Sequence, residues 1–158
     1  MYTCRMATES NLLGTDRVTQ IAIVVRDIDR TAAHYAAVLG VHVPPVIVTA
    51  GREEAHTVYR GAPSDATAKL CFFDLGQVSL ELIEPDGKPS TWQEHLDKHG
   101  EGVHHIAFQV KDMDRRLADL GAQGMPTIQR GDFTGGCYAY VDASPQLGVE
   151  LELLESLG

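Results

Sequence analysis

The chain repeats itself, and no other feature constrains its fold as strongly. Residues 20–30 read QIAIVVRDIDR and residues 105–115 read HIAFQVKDMDR, with six of the eleven positions identical. Downstream, Leu80-Glu81-Leu82-Ile83-Glu84 returns as Leu151-Glu152-Leu153-Leu154-Glu155, with four of five identical. The offsets are 85 and 71 residues, so two elements recur in the same order around a shorter middle. In a chain of 158 residues this means two copies of one supersecondary unit sharing a core.

Each copy reads alike. Residues 18–25 and 104–110 are β-rich runs. Asp27 or Asp29 can cap a helix that stops at Gly40, and Asp112 or Asp114 can cap its counterpart, which Gly121 or Gly124 stops. Short β-type segments then lead into each Leu-Glu-Leu strand. The expected fold is therefore α+β, with tandem βαβββ modules whose helices cover the outer faces of their sheets. The boundaries are a flexible leader over 1–16, a first module over 17–86, a helical linker over 87–102 and a second module over 103–156. In the linker, Thr91 followed by Glu94 fits a capping box for a short helix from Trp92 to Lys98.

Side chains alternate across a strand. Ile21, Ile23 and Val25 share one face of the first strand, and Gln20, Ala22 and Val24 the other. Ile106, Phe108 and Val110 likewise oppose His105 and Ala107, and alternation sends His104 to the face away from His105. In the late strands, Glu81 and Glu152 oppose leucine rows. Four polar residues thus hold repeat-equivalent places, Gln20 with His105 and Glu81 with Glu152. Two modules paired about a pseudo-twofold axis would bring them into one cavity. A carboxylate lodged among Leu and Ile is costly unless it is paired or bound to a cation. One imidazole, two carboxylates and one amide oxygen suit a single divalent ion such as Zn, Co, Ni or Mn.

Composition narrows the partners. A net charge of -9 opposes bare nucleic acid and anionic membranes, and no apolar run approaches a bilayer span. The expected partner is a small molecule. Cys4, Cys71 and Cys137 are odd in number, show no CxxC spacing and suit a reducing cytoplasm.

The run Glu101-Gly102-Val103-His104-His105-Ile106-Ala107-Phe108 resembles the central signature of methylmalonyl-CoA epimerases. Leu80-Glu81-Leu82-Ile83-Glu84-Pro85, the helical linker and residues 148–155 resemble them too. Over residues 17–156 the chain is similar to the vicinal oxygen chelate superfamily, which includes glyoxalase I, extradiol dioxygenases and fosfomycin-resistance enzymes. The resemblance implies a half-open barrel around a metal held by Gln20, Glu81, His105 and Glu152, and a homodimer. Two positions depart from the epimerase pattern. Gln20 stands where those enzymes generally carry His, as in glyoxalase I of the eukaryotic kind. Asp65-Ala66-Thr67 stands where they show Glu-Gln-Gly, which contributes a catalytic acid or base.

The chemistry so implied is enolate stabilisation, with Glu152 as base and Glu81 or Asp65 as the partner across the cavity. The first reading is an epimerase acting on an acyl-CoA thioester. The alternatives are a lyase of the lactoylglutathione (glyoxalase I) type and a non-catalytic binding protein of the same fold. Gln20 breaks the two-His, one-carboxylate iron triad of a dioxygenase.

Overall fold

The structure, a computed structural model, describes residues 11–158. Most of the expected leader, with Cys4, lies outside the described residues. The elements are β1 (Val18–Val24), α1 (Ile28–Leu39), β2 (Val46–Val48), α2 (Arg52–Ala55), β3 (Val58–Tyr59), β4 (Ala62–Pro63), β5 (Ala68–Asp74), β6 (Ser79–Pro85), α3 (Thr91–His99), β7 (Gly102–Gln109), α4 (Met113–Ala122), β8 (Thr127–Phe133), β9 (Gly136–Val141), α5 (Ser144–Leu147) and β10 (Glu150–Ser156). The strands form one mixed sheet in the order β2-β5-β6-β1-β7-β10-β9-β8-β3-β4, curled into a half-barrel.

The repeat is visible in the register. β1 and β7 run antiparallel side by side, with Ile21 opposite Ile106, Gln20 opposite Ala107 and Ala22 opposite His105. A pseudo-twofold axis therefore passes through the Ile21–Ile106 pair. β6 lies parallel to β1 with Glu81 opposite Ala22, and β10 lies parallel to β7 with Glu152 opposite Ala107. Each half also carries one bulge. The pairing of β1 and β7 skips Thr19 on one strand and His104 on the other, which are repeat-equivalent positions. A bulge turns its strand and re-aims side chains.

The expected aliphatic rows hold. Val25, Leu80 and Leu82 pack beneath Ile28, Ala32 and Ala36 of α1, with Ile23 against them. Phe108, Val110, Leu151 and Leu153 pack beneath Met113, Leu117 and Leu120 of α4. Leu12 and Leu13 also rest on this second cluster. Ala22, Val24 and Ile83 meet Trp92 and Leu96 of α3 on the other face. Cys71 and Cys137 are buried free thiols. Among the described residues, no helix is long and apolar enough to cross a membrane.

The helix starts share a device that local sequence does not announce. Asp27 caps α1, accepting from the Arg30 N–H at 3.0 Å, and Glu84 accepts from the Ile28 N–H at 2.8 Å. At α4 the Asp112 side chain makes no cap bond. Glu155 accepts there instead, from the Asp112 N–H at 2.8 Å and the Met113 N–H at 3.2 Å. Glu84 and Glu155 are the last residues of the repeated Leu-Glu-Leu segments, and their charge favours the positive end of a helix.

The linker helix starts one residue earlier than expected. Ser90 is its cap, accepting from the Gln93 N–H at 3.0 Å, and the Thr91–Glu94 capping box does not form. Glu94 is engaged elsewhere. The segment between β2 and β5 holds the β3–β4 hairpin, which joins the far half of the sheet, with Tyr59 opposite Gln129 on β8. Glu94 receives hydrogen bonds from Tyr59 and Lys98, and from Arg60 Nη2 at 2.9 Å, which pins the hairpin to α3. Burial raises the Glu94 pKa, but the bonds from Lys98, Tyr59 and Arg60 outweigh it and hold the carboxyl at about 2. A folded-state pKa below the usual 4.5 means stability that is present above that value and lost as pH falls from there through about 2. Thermal melts across that window should show a steeper loss for the natural chain than for Glu94→Gln. Parallel curves would remove Glu94 from the account.

Candidate metal centre

Small residues make room for large ones at the sheet's centre. Glu81 sits between Ala22 on β1 and Phe72 on β5, and Glu152 sits between Ala107 on β7 and Tyr140 on β9. Each carboxylate thus has an alanine on one side, leaving space over the strand, and an aromatic wall on the other. Gln20 and His105 complete the square across the pseudo-twofold axis.

All four predicted residues converge. His105 Nε2 lies 2.9 Å from Glu152 Oε2, 3.4 Å from Glu81 Oε2 and 3.3 Å from Gln20 Oε1. One donor atom each from Glu81, His105 and Glu152 fit within 4.8 Å of one another. His105 is 0% exposed and the two glutamates 5% each. Burial alone would lower the His105 pKa, but Glu152 and Glu81 outweigh it and hold it at about 10. Burial raises the Glu81 carboxyl, against the pull of His105. Even with an imidazolium, two carboxylates leave one negative charge uncompensated, and a buried charge without a partner is costly.

This donor set fits a divalent ion. Two carboxylates balance its charge, and neutral imidazole and amide oxygen complete the ligands. Gln20 reports on the fit. With its oxygen inward, it meets only carboxylate oxygens and the imidazole edge. With its nitrogen inward, it would donate to Glu81 Oε2 at 3.2 Å and Glu152 Oε2 at 2.9 Å. The oxygen-inward orientation, 3.3 Å from His105 Nε2, is the one that can also ligate a cation.

Gln20, Glu81 and Glu152 of this cluster line a cavity of about 600 Å³, with His105 buried beside them. Its walls are largely apolar and aromatic, including Ile47, Leu70, Phe72, Trp92, Phe133, Tyr138, Tyr140 and Leu154. Among the described residues its lining carries Glu54 and Asp132 besides Glu81 and Glu152, and no Lys or Arg. Tyr140 accepts from Trp92 Nε1 at 3.0 Å, and burial pushes its pKa well above the ordinary value, so it stays a neutral phenol.

Two expectations need correction. Asp65 is not at the cavity. It is exposed on the loop between the β3–β4 hairpin and β5, 3.8 Å from Arg52. Glu54 of α2 lines the cavity instead. A four-residue helix inside an irregular segment gives no periodic signal, so sequence reasoning missed it. His104 is not on the face away from His105. The bulge brings the two rings together, with Nδ1 to Nδ1 at 2.8 Å and both packed on Tyr140.

Residues 19–141 match the model of the Glyoxalase/Bleomycin resistance protein/Dioxygenase superfamily, and the chain belongs to that superfamily. It is 29% identical over 146 residues to the uncharacterized protein YqjC of Bacillus subtilis, covering 90% of this chain and 94% of that one. It is 30% identical over 114 residues to the ethylmalonyl-CoA/methylmalonyl-CoA epimerase of Cereibacter sphaeroides, covering 68% and 72%. Among solved structures, a variant of Streptomyces coelicolor methylmalonyl-CoA epimerase in complex with 2-nitronate-propionyl-CoA superposes with a TM-score of 0.62 at 28% identity, covering 90% of this chain and 98% of that one.

Proposed function

We propose that the chain is a metal-dependent epimerase acting on a 2-substituted acyl-CoA thioester of the methylmalonyl type. The observation that carries this reading is the buried square of Gln20, Glu81, His105 and Glu152 beside an apolar cavity. Likeness to epimerases in sequence and in solved structure supports the substrate class. A divalent ion held by these four residues supplies a Lewis acid beside the carbon that loses its proton.

The chain's own groups handle the proton. Glu152 borders the cavity with its carboxylate and takes the α-proton as base. Inversion needs a second proton carrier at the opposite face of the planar intermediate. Glu81, Glu54 and Asp132 are the other carboxylates that line the same cavity, and of these we assign the role to Glu81 or Glu54, Glu54 taking the part expected of Asp65. The apolar walls hold the acyl end and exclude water, which lengthens the life of a carbanion-like species.

A glyoxalase reaction moves a proton between adjacent carbons and is the second reading, favoured by Gln20. The test is exchange of the α-proton of methylmalonyl-CoA in deuterated water by the zinc- or cobalt-loaded chain. The epimerase reading expects exchange with racemisation. No exchange, together with turnover of a glutathione–methylglyoxal adduct, would replace it by the lyase reading.

A further inference from the structure

Behind His105 lies a second layer, in which His104 and Thr91 are buried and Glu150 is partly so. His104 Nε2 is 3.0 Å from Glu150 Oε2 and 3.2 Å from Thr91 Oγ1. The Thr91 hydroxyl donates to Glu150 at 2.8–2.9 Å. His104 is 1% exposed, and its ring is boxed by Tyr140 at 5.2 Å and His95 at 5.3 Å between centroids.

The direction of the hydrogen bonds follows from the ends of this chain. His105 turns Nε2 toward Gln20, Glu81 and Glu152. To ligate from that atom it must keep the lone pair there and carry its proton on Nδ1, which then donates to His104 Nδ1. His104 must in turn carry its proton on Nε2 and donate it to Glu150. Every atom then faces one donor or one acceptor. The reverse polarity would put the His105 proton on Nε2, where it blocks the ligand atom. It would also set a His104 lone pair against the Glu150 carboxylate at 3.0 Å. A carboxylate at the end of the row therefore selects the ligating tautomer two rings away.

The repeat supplies the contrast. The counterparts of His104 and Glu150 are Thr19 and Ser79, and these stand behind Gln20. The Thr19 hydroxyl goes to the Ala107 carbonyl at 3.2 Å. An amide has no tautomer to select, and its half carries two hydroxyls, Thr19 and Ser79, where the other carries His104 and Glu150. We propose that His104 and Glu150 are positioning residues that hold His105 in its Nδ1-protonated, Nε2-ligating form.

The inference rests on the metal reading above, and the test separates the two. Cobalt titration of the full chain gives affinity and the visible spectrum of the bound ion. Proton–nitrogen correlation spectra of the zinc-loaded chain give the tautomers. Glu150→Gln keeps the size but removes the charge, and His104→Phe keeps the packing on Tyr140 but removes both bonds. Each should weaken cobalt binding by roughly 10–100-fold, the usual scale for an outer partner of a ligating His, and shift the spectrum. In the natural chain His104 should be protonated on Nε2. Unchanged affinity and spectrum in a folded Glu150→Gln protein, or His104 protonated on Nδ1, would overturn the inference and leave the metal reading intact. No cobalt uptake by the natural chain would overturn both. If His104→Phe fails to fold by circular dichroism, Glu150→Gln carries the test.

Discussion

Glu152→Gln should cut α-proton exchange by the metal-loaded chain roughly 10²- to 10⁴-fold, the scale at which general bases contribute. The substitution keeps the side chain's length and one oxygen donor beside His105 Nε2, now 2.9 Å from the carboxylate. Metal content should therefore fall less than activity, because Gln20, Glu81 and His105 remain. The discriminating measurement is exchange per bound ion. Near-natural exchange in a loaded Glu152→Gln protein would rule out Glu152 as the base and direct the search to Glu81 and Glu54.

His105→Ala should fail in the opposite order, losing the ion before anything else. It removes the one nitrogen donor of the set and leaves Glu81 and Glu152 buried at 5% exposure with no cationic partner of the chain's own. Breaking a buried charge pair in this way costs about 3–5 kcal/mol. Dialysis followed by elemental analysis should find the variant metal-free under conditions where Glu152→Gln retains ion, and its melting temperature should drop. One ion per chain retained after dialysis would sink the assignment of His105 as a ligand. Together the two variants separate loss of chemistry from loss of the site.

Those four residues could be found from sequence because the repeat registers them. Strand alternation fixes which wall each faces, and a twofold relation between copies does the rest. The same reasoning placed the leucine rows under α1 and α4. It failed where one residue was added to a strand. The bulge at His104 reverses the alternation from that point, and no residue type marks it, so His104 was assigned to the wrong face. It failed again between β2 and β5, where two-residue strands and a four-residue helix are shorter than any hydrophobic period. Asp65 was chosen there by a local likeness, and Glu54 was passed over. The Thr91–Glu94 pair looked like a capping box, but tertiary partners claimed both side chains, Glu150 for Thr91 and the hairpin for Glu94. The paired caps from Glu84 and Glu155 were within reach, since both close the repeated segment, but such long-range caps have no local signature.

The absence of Lys and Arg from the cavity lining among the described residues bears on how a substrate would arrive. A divalent ion held by Gln20, Glu81, His105 and Glu152 would make a centre of zero net charge, casting little field beyond its own ligands. Around it stand Glu54 and Asp132, on a chain whose net charge is -9. An anionic thioester, the substrate proposed above, would therefore approach against the protein's field rather than along it. Capture falls to short-range coordination and apolar contact, and dissolved salt, by screening that repulsion, quickens encounter instead of slowing it.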